Sequence, residues 1–153
     1  MKIIVDGMLG NIAKWLRLLG FDVFYEPNID DDYLLKLTKE LQGVLVTRDE
    51  QLSYKAIRND VEVILIKKER KIETIKQILN VLNVKTDQLE IGSRCIECNN
   101  KLIFVDKKEL QEKLPRRIIE NNDEFWMCSN CKKIYWHGSH WKNIESELKE
   151  ILK

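Results

Sequence analysis

Nowhere does this chain run to the roughly 18 consecutive apolar residues that a membrane-spanning helix needs. Its first residues, Met1 to Val5, pass straight into Asp6 without a basic segment or an extended apolar core, so no secretory leader is expected and a cytoplasmic location is. An excess of either charge is missing too, with 26 basic residues against 25 acidic and a net charge of +1. The balance holds along the chain: 14 basic against 15 acidic residues over positions 1–90, and 12 against 10 beyond them. Bulk electrostatic attraction to nucleic acid is therefore not indicated, and any such binding must come from local patches. Internal repeats and low-complexity segments are absent. Cysteines number only four, and in a cytosolic chain that argues for a metal before disulfides.

What is present begins with short apolar runs that end in aspartate. Val44, Leu45 and Val46 have the pattern of a strand covered on both faces in a parallel sheet, and Thr47, Arg48 and Asp49 follow where that pattern stops. Lys2 to Asp6 repeats the arrangement. Phe21 to Tyr25 and Val61 to Ile66 read as further strands. Between them Ile12, Trp15, Leu16 and Leu19 mark one face of a helix that Gly20 ends, and Leu34, Leu37 and Leu41 mark a second after Asp30, Asp31 and Asp32. Glu50 to Ile57 is a short helical stretch, and Ile72, Ile75, Leu79 and Leu82 give another amphipathic helix. This alternation of strand and helix predicts an α/β domain with a parallel sheet flanked by helices. The expected division is a first domain over residues 1–84, a linker over 85–92, and a small module over 93–153 that includes a C-terminal helix with Trp141, Ile144, Leu148 and Ile151 on its stripe.

In that second module Cys95 and Cys98 form one Cys-x2-Cys pair, and Cys128 and Cys131 another. Each such pair presents two thiolates to one ion, so two pairs close a tetrahedral zinc site with no open position, which makes it structural rather than catalytic. The interval between the pairs exceeds the usual spacing and demands a longer excursion from Asn99 to Met127. A redox-active pair would want a thioredoxin-like context, which is not here. So few core residues need the metal to fold.

The carboxylates raise a second possibility. Ligands of open α/β sheets bind at the carboxyl ends of the strands, and Asp6, Asp31 and Asp49 can converge there. Three such charges repel one another unless a hard divalent cation, Mg²⁺ or Mn²⁺, neutralises them, and that ion could support hydrolysis of a phosphodiester. The alternative is that each aspartate only ends a strand or caps a helix. A response-regulator receiver would show paired acids after the first strand, where this chain has Gly7 and Met8; a haloacid-dehalogenase phosphatase would show Asp-x-Asp.

The stretches VDGMLGNIAKWLRLLGFDV, DDYLLKLTKELQGVLVTRDEQL, SRCIECNNKL and FWMCSNCKKIYWHGSHW, in this order, resemble the PIN-like RNase family named for the C-terminal domain of Mut-seven, which ends in a zinc ribbon. The resemblance covers nearly the whole chain. It implies a PIN-like fold and a metal-dependent ribonuclease, with Asp6, Asp31 and Asp49 at the acidic positions and Cys95, Cys98, Cys128 and Cys131 as zinc ligands. Many PIN nucleases carry a further acidic or polar residue after the next strand; here Lys67 and Lys68 stand there, so one tightly held ion is expected rather than two. Lys14, Arg17 and Arg48 are positioned to hold RNA phosphates near the acidic cluster, and Arg94 with the basic, aromatic ribbon suits single-stranded RNA. Trp136 and Trp141 compete between that role and the ribbon's own core. The competing function is a non-catalytic RNA-binding or ribosome-binding module with structural zinc.

Overall fold

A computed structural model describes all 153 residues. Strands β1 (Lys2–Val5), β2 (Asp22–Tyr25), β3 (Val44–Thr47) and β4 (Val63–Leu65) form one parallel sheet in the order β2-β1-β3-β4. Helices α1 (Gly10–Leu18), α2 (Asp31–Glu40), α3 (Glu50–Arg58) and α4 (Lys71–Val81) connect and follow these strands. The last strand is shorter than its apolar run. Only three residues pair fully, but Glu62 and Ile66 each still reach β3 through one backbone hydrogen bond, and the Gln77 side chain donates to the free Leu65 carbonyl.

The period-two alternation of the strands sorts their side chains between two cores. Ile3, Val5, Val23, Val44, Val46 and Ile64 pack on one face against α1 and α4, while Ile4 and Leu45 meet Leu34, Leu35, Leu52 and Ala56 on the other. Both central strands are therefore apolar throughout, as sheets covered on both faces require.

The cysteine module is a separate antiparallel sheet of β5 (Leu102–Val105), β6 (Phe125–Cys128) and β7 (Ile134–Tyr135), in that order. Between the cysteine pairs the chain makes a 3-10 turn over Lys107–Leu110 and a short helix α5 (Arg116–Asn121), which accounts for the long interval. The module's own core is small: Val105, Leu110 and Phe125, with partly buried neighbours. Helix α6 (Trp141–Ile151) then returns to the α/β unit. Its Leu148 and Ile151 sit in the same core cluster as Ile75 and Ile78 of α4, and Lys71 bridges to Glu147 at 2.7 Å.

The linker is also hydrogen-bonded. A 3-10 turn covers Thr86–Gln88, and the Glu90 and Gly92 amides donate to the Leu19 and Leu18 carbonyls at 3.2 and 2.8 Å, satisfying groups that a helix end leaves free. This close approach explains Gly20. Its φ is +102°, and a Cβ there would lie 2.7 Å from the Glu90 carbonyl oxygen.

Side chains join the two units along the outer edge of β2. Asn99 behaves like a residue of a neighbouring strand: its Oδ1 accepts from the Val23 amide at 2.9 Å, and its Nδ2 donates to Asp22 at 2.7 Å. Arg17 completes the seam. Its guanidinium donates to the Val23 carbonyl through Nε and Nη2 and to the Ile96 and Glu97 carbonyls through Nη1, at 3.0 to 3.3 Å. Arg94 donates to the Gly20 and Asn99 carbonyls at 3.1 and 3.0 Å. The expectation that Arg17 and Arg94 hold RNA phosphates is thus corrected for Arg17, which is 6% exposed with its donors spent on carbonyls. Arg94 likewise commits two of its nitrogens to the seam, so its main work is structural.

Candidate functional site

The sheet order places a topological switch point at the carboxyl ends of β1 and β3, because the chain leaves β1 toward β2 and then returns to β1's other side. Asp6 and Asp49 lie just beyond those two ends. Their positions are tied through Thr47, whose side chain is fully buried. The Thr47 hydroxyl donates to Asp6 Oδ2 at 2.8 Å and accepts the Asp49 amide at 3.0 Å. One hydroxyl with a single proton and free lone pairs can make both bonds at once. The Asp6 amide also pairs with the Val46 carbonyl at 3.0 Å, which fixes its backbone to β3.

Asp49 has a second task. Its Oδ1 accepts from the Gln51 and Leu52 amides at 2.8 and 3.2 Å and so caps α3. Among the three aspartates at the start of α2, Asp30 is the cap, its carboxylate facing the Tyr33 amide at 3.4 Å. Asp31 is different. Its carboxyl is held above the ordinary carboxylate range by burial, then by the charges of Asp6 and Asp49, while Lys55 on α3 pulls the other way. Asp6, Asp31 and Asp49 are therefore electrostatic neighbours. The sequence reading did not find Thr47's bridging role or Lys55; a threonine two positions before an aspartate at a buried strand end was the available signal for the first.

Of the cations expected near this edge, Arg48 donates to the Lys68 carbonyl at 2.5 Å, and Lys14 faces Glu97 at 3.5 Å with both side chains about half exposed. Neither is buried.

Asp31 permits a pH test. An acid whose folded pKa lies above its unfolded value favours the fold when protonated, so its ionised form costs stability as pH climbs through that interval. Asp31→Asn should show no melting advantage over the parent chain near pH 3 and a growing one toward pH 7, without added divalent cation. A variant less stable than the parent at neutral pH would mean that attraction to the α2 N-terminus outweighs the crowding of charge.

The cysteines form a tighter set. Their four sulfurs lie within 4.8 Å of one another, the only group of three or more His, Cys, Asp or Glu ligand atoms so close. Cys95 and Cys131 are 3.6 Å apart at sulfur, and Cys98 and Cys128 3.1 Å. Zinc with Zn–S bonds of about 2.3 Å spaces its sulfurs by about 3.8 Å, so the four residues fit a structural zinc ion. The two turns that present them are built alike. In each, the first cysteine's amide bonds the carbonyl five residues on, its carbonyl accepts from the residue four on, and that residue, Asn99 or Lys132, has positive φ. Burial opposes ionisation of Cys98, but hydrogen bonds, first from the Asn100 backbone and then from Cys128, bring it down to about 5. Tyr135 adds a hydroxyl 3.0 Å from Cys95 Sγ that also accepts the Ile96 amide.

These two features, an acidic strand edge and a four-cysteine ribbon, occur in a chain whose residues 1–148 match the family model of the Mut7-C RNAse domain. A search of curated proteins finds no match. Because the family model spans all but the last few residues, the chain belongs to the Mut7-C RNAse domain family.

Proposed function

We propose that this protein is a metal-dependent ribonuclease that cuts RNA internally, with Asp6 and Asp49 holding one Mg²⁺ or Mn²⁺ ion. The observation that carries this reading is the Thr47 hydroxyl joining Asp6 and Asp49 at the switch point, with Asp31's carboxyl raised by both charges. Three mutually repelling carboxylates are a poor structural element and a fitting oxygen donor set for a hard cation. Their carboxylate oxygens are not gathered within 4.8 Å of one another as the thiols are, so an ion there would keep several of its waters and meet only one or two carboxylates directly. Bound there, such an ion supplies charge stabilisation for the phosphodiester transition state and a more acidic water.

The chain's own groups divide the remaining work. Thr47 fixes the direction of the Asp6 carboxylate and the position of the Asp49 backbone. Asp31, with its raised proton affinity, orients the attacking water and accepts its proton. Arg48, adjacent to Asp49, and Lys14, on the helix that follows Asp6, are the cations we assign to phosphates of the strand. Asp49 is exposed and Asp6 and Asp31 half-buried, so an internal phosphodiester has access.

The test is cleavage of labelled single-stranded, structured and circular RNA by the zinc-loaded protein with Mn²⁺, with Mg²⁺, or with neither. Cutting of the circle requires an endonuclease. Asp49→Asn should lower the rate by more than 100-fold while leaving the fold intact, since asparagine keeps the oxygen that caps α3. Equal RNA binding by both proteins without cleavage by either would instead favour a non-catalytic RNA-binding or ribosome-binding module.

A further inference from the structure

Between the ribbon sheet and the end of α1 lies a cavity of about 300 Å³. Trp126, Tyr135, His137 and Trp141 line it, with Arg94 and Lys133, and no carboxylate is among its lining residues. The ladder register creates it. Phe104, Trp126 and Tyr135 stand side by side across β5, β6 and β7, opposite in phase to Val105 and Phe125, which fill the ribbon's core. Phe104 meets Trp126 edge-on at 6.5 Å and is 64% exposed.

The geometry shows what such walls accept. The His137 ring sits between two indoles, 4.9 Å and 30° from Trp126 and 3.8 Å and 2° from Trp141. These tryptophans already hold one flat ring by stacking. Trp136 also lines the cavity while packing against the ribbon core, 6.3 Å from Phe125. Lys133 lies over the Tyr135 ring at 5.4 Å and reaches Glu97 only at 3.5 Å.

We infer that this cavity holds an unpaired nucleobase of the RNA strand, stacked on its aromatic walls with the neighbouring phosphate at Lys133. Its choice of ligand rests on the ribonuclease reading. The volume is at the small end of ligand sites and suits one nucleoside rather than a protein segment. Aromatic stacking with nearby cations tolerates every base, so the grip is on single strands and not on a sequence. Leu18 is in the lining, whereas the acidic edge lies at the other end of α1. Nine helical residues put roughly 13 Å between them, so the gripped base is distant from the phosphate that is cut.

The experiment is a fluorescence and anisotropy titration of the full, zinc-loaded chain with short oligouridylate and oligoadenylate, with no added Mg²⁺ or Mn²⁺. Quenching of tryptophan emission is expected with both. Trp126→Ala should weaken binding about tenfold or more, the worth of one stacked base, with zinc content unchanged. Lys133→Glu, which leaves every indole in place, should weaken it as well. Unchanged affinity in Trp126→Ala, or no binding of either oligonucleotide by the parent chain, overturns the inference. The nuclease is judged separately: binding lost in Trp126→Ala without cleavage by the parent removes the nuclease and keeps the cavity, while cleavage with unaltered affinity in Trp126→Ala removes the cavity alone.

Discussion

Removal of zinc by a chelator, or substitution Cys95→Ser, should unfold β5, β6 and β7 while β1 and β3 stay folded. The ribbon's own apolar core comprises only Val105, Leu110 and Phe125. Apparent binding free energies for structural zinc in peptides of this kind run to about 10–16 kcal/mol near neutral pH, and that energy is folding energy because the site does not exist in the unfolded chain. A core of three buried side chains offers about 1.5–3 kcal/mol for each, too little to compensate. Hydrogen exchange distinguishes the halves: amides of Leu102–Val105 and Phe125–Cys128 should lose protection on zinc removal, whereas those of Ile3, Ile4, Leu45 and Val46 should keep it. A soluble Cys95→Ser protein that holds zinc and melts normally would sink the claim.

The second large effect is expected at Arg17. Burial lowers its pKa, and the negative groups around it, Cys95 and Cys98 first and then Glu97 and Asp22, oppose that shift. Its four hydrogen bonds reach three carbonyls on two different units. Arg17→Ala leaves those carbonyls without a donor at a buried seam, at a cost of about 3–5 kcal/mol. In a chain of this size that corresponds to a fall in Tm of about 10 °C. Arg17→Lys should recover little, since a single ammonium cannot replace a planar fork that serves β2 and the cysteine turn together. Urea denaturation of the zinc-loaded protein measures the loss. A change under about 1 kcal/mol in Arg17→Ala would mean that the seam is held by Asn99 and the zinc turn alone.

Arg17 also shows where the sequence was readable and where it was not. The four strands of the parallel sheet, helices α1 to α4 and α6, and the four thiols follow from local patterns, apolar runs, helical spacing and Cys-x2-Cys, whereas β5, β6, β7 and α5 were not assigned, being short elements held by the cysteine turns. Arg17 lies beside an apolar helix face, and nothing local distinguishes a cation directed at solvent from one directed at a carbonyl some 80 positions later. The same reason hides the seam made by Asn99. The destination of α6 was obscured similarly: its stripe of Ile144, Leu148 and Ile151 announces burial without naming the partner, which is α4 rather than the adjoining ribbon. At the acidic edge, strand ends pointed to Asp6 and Asp49, whereas Asp31 was singled out from Asp30 and Asp32 only by the family resemblance. The Thr47 bridge was not legible, since hydroxyl geometry depends on two strands being neighbours.

The return of α6 bears on how the protein comes into being. Ile3 and Val5 belong to one core cluster with Leu148 and Ile151, so segments far apart in sequence contribute to the same hydrophobic layer. During synthesis the α4 side of that layer stays uncovered until α6 has been made. The ribbon is complete before then. Contacts of such long sequence separation carry a large loop-closure entropy and slow folding, and a ribbon already folded around its ion shortens the effective loop that remains to be closed. Metal supply during translation should therefore set how fast α6 closes onto α4, and not only the stability of the ribbon.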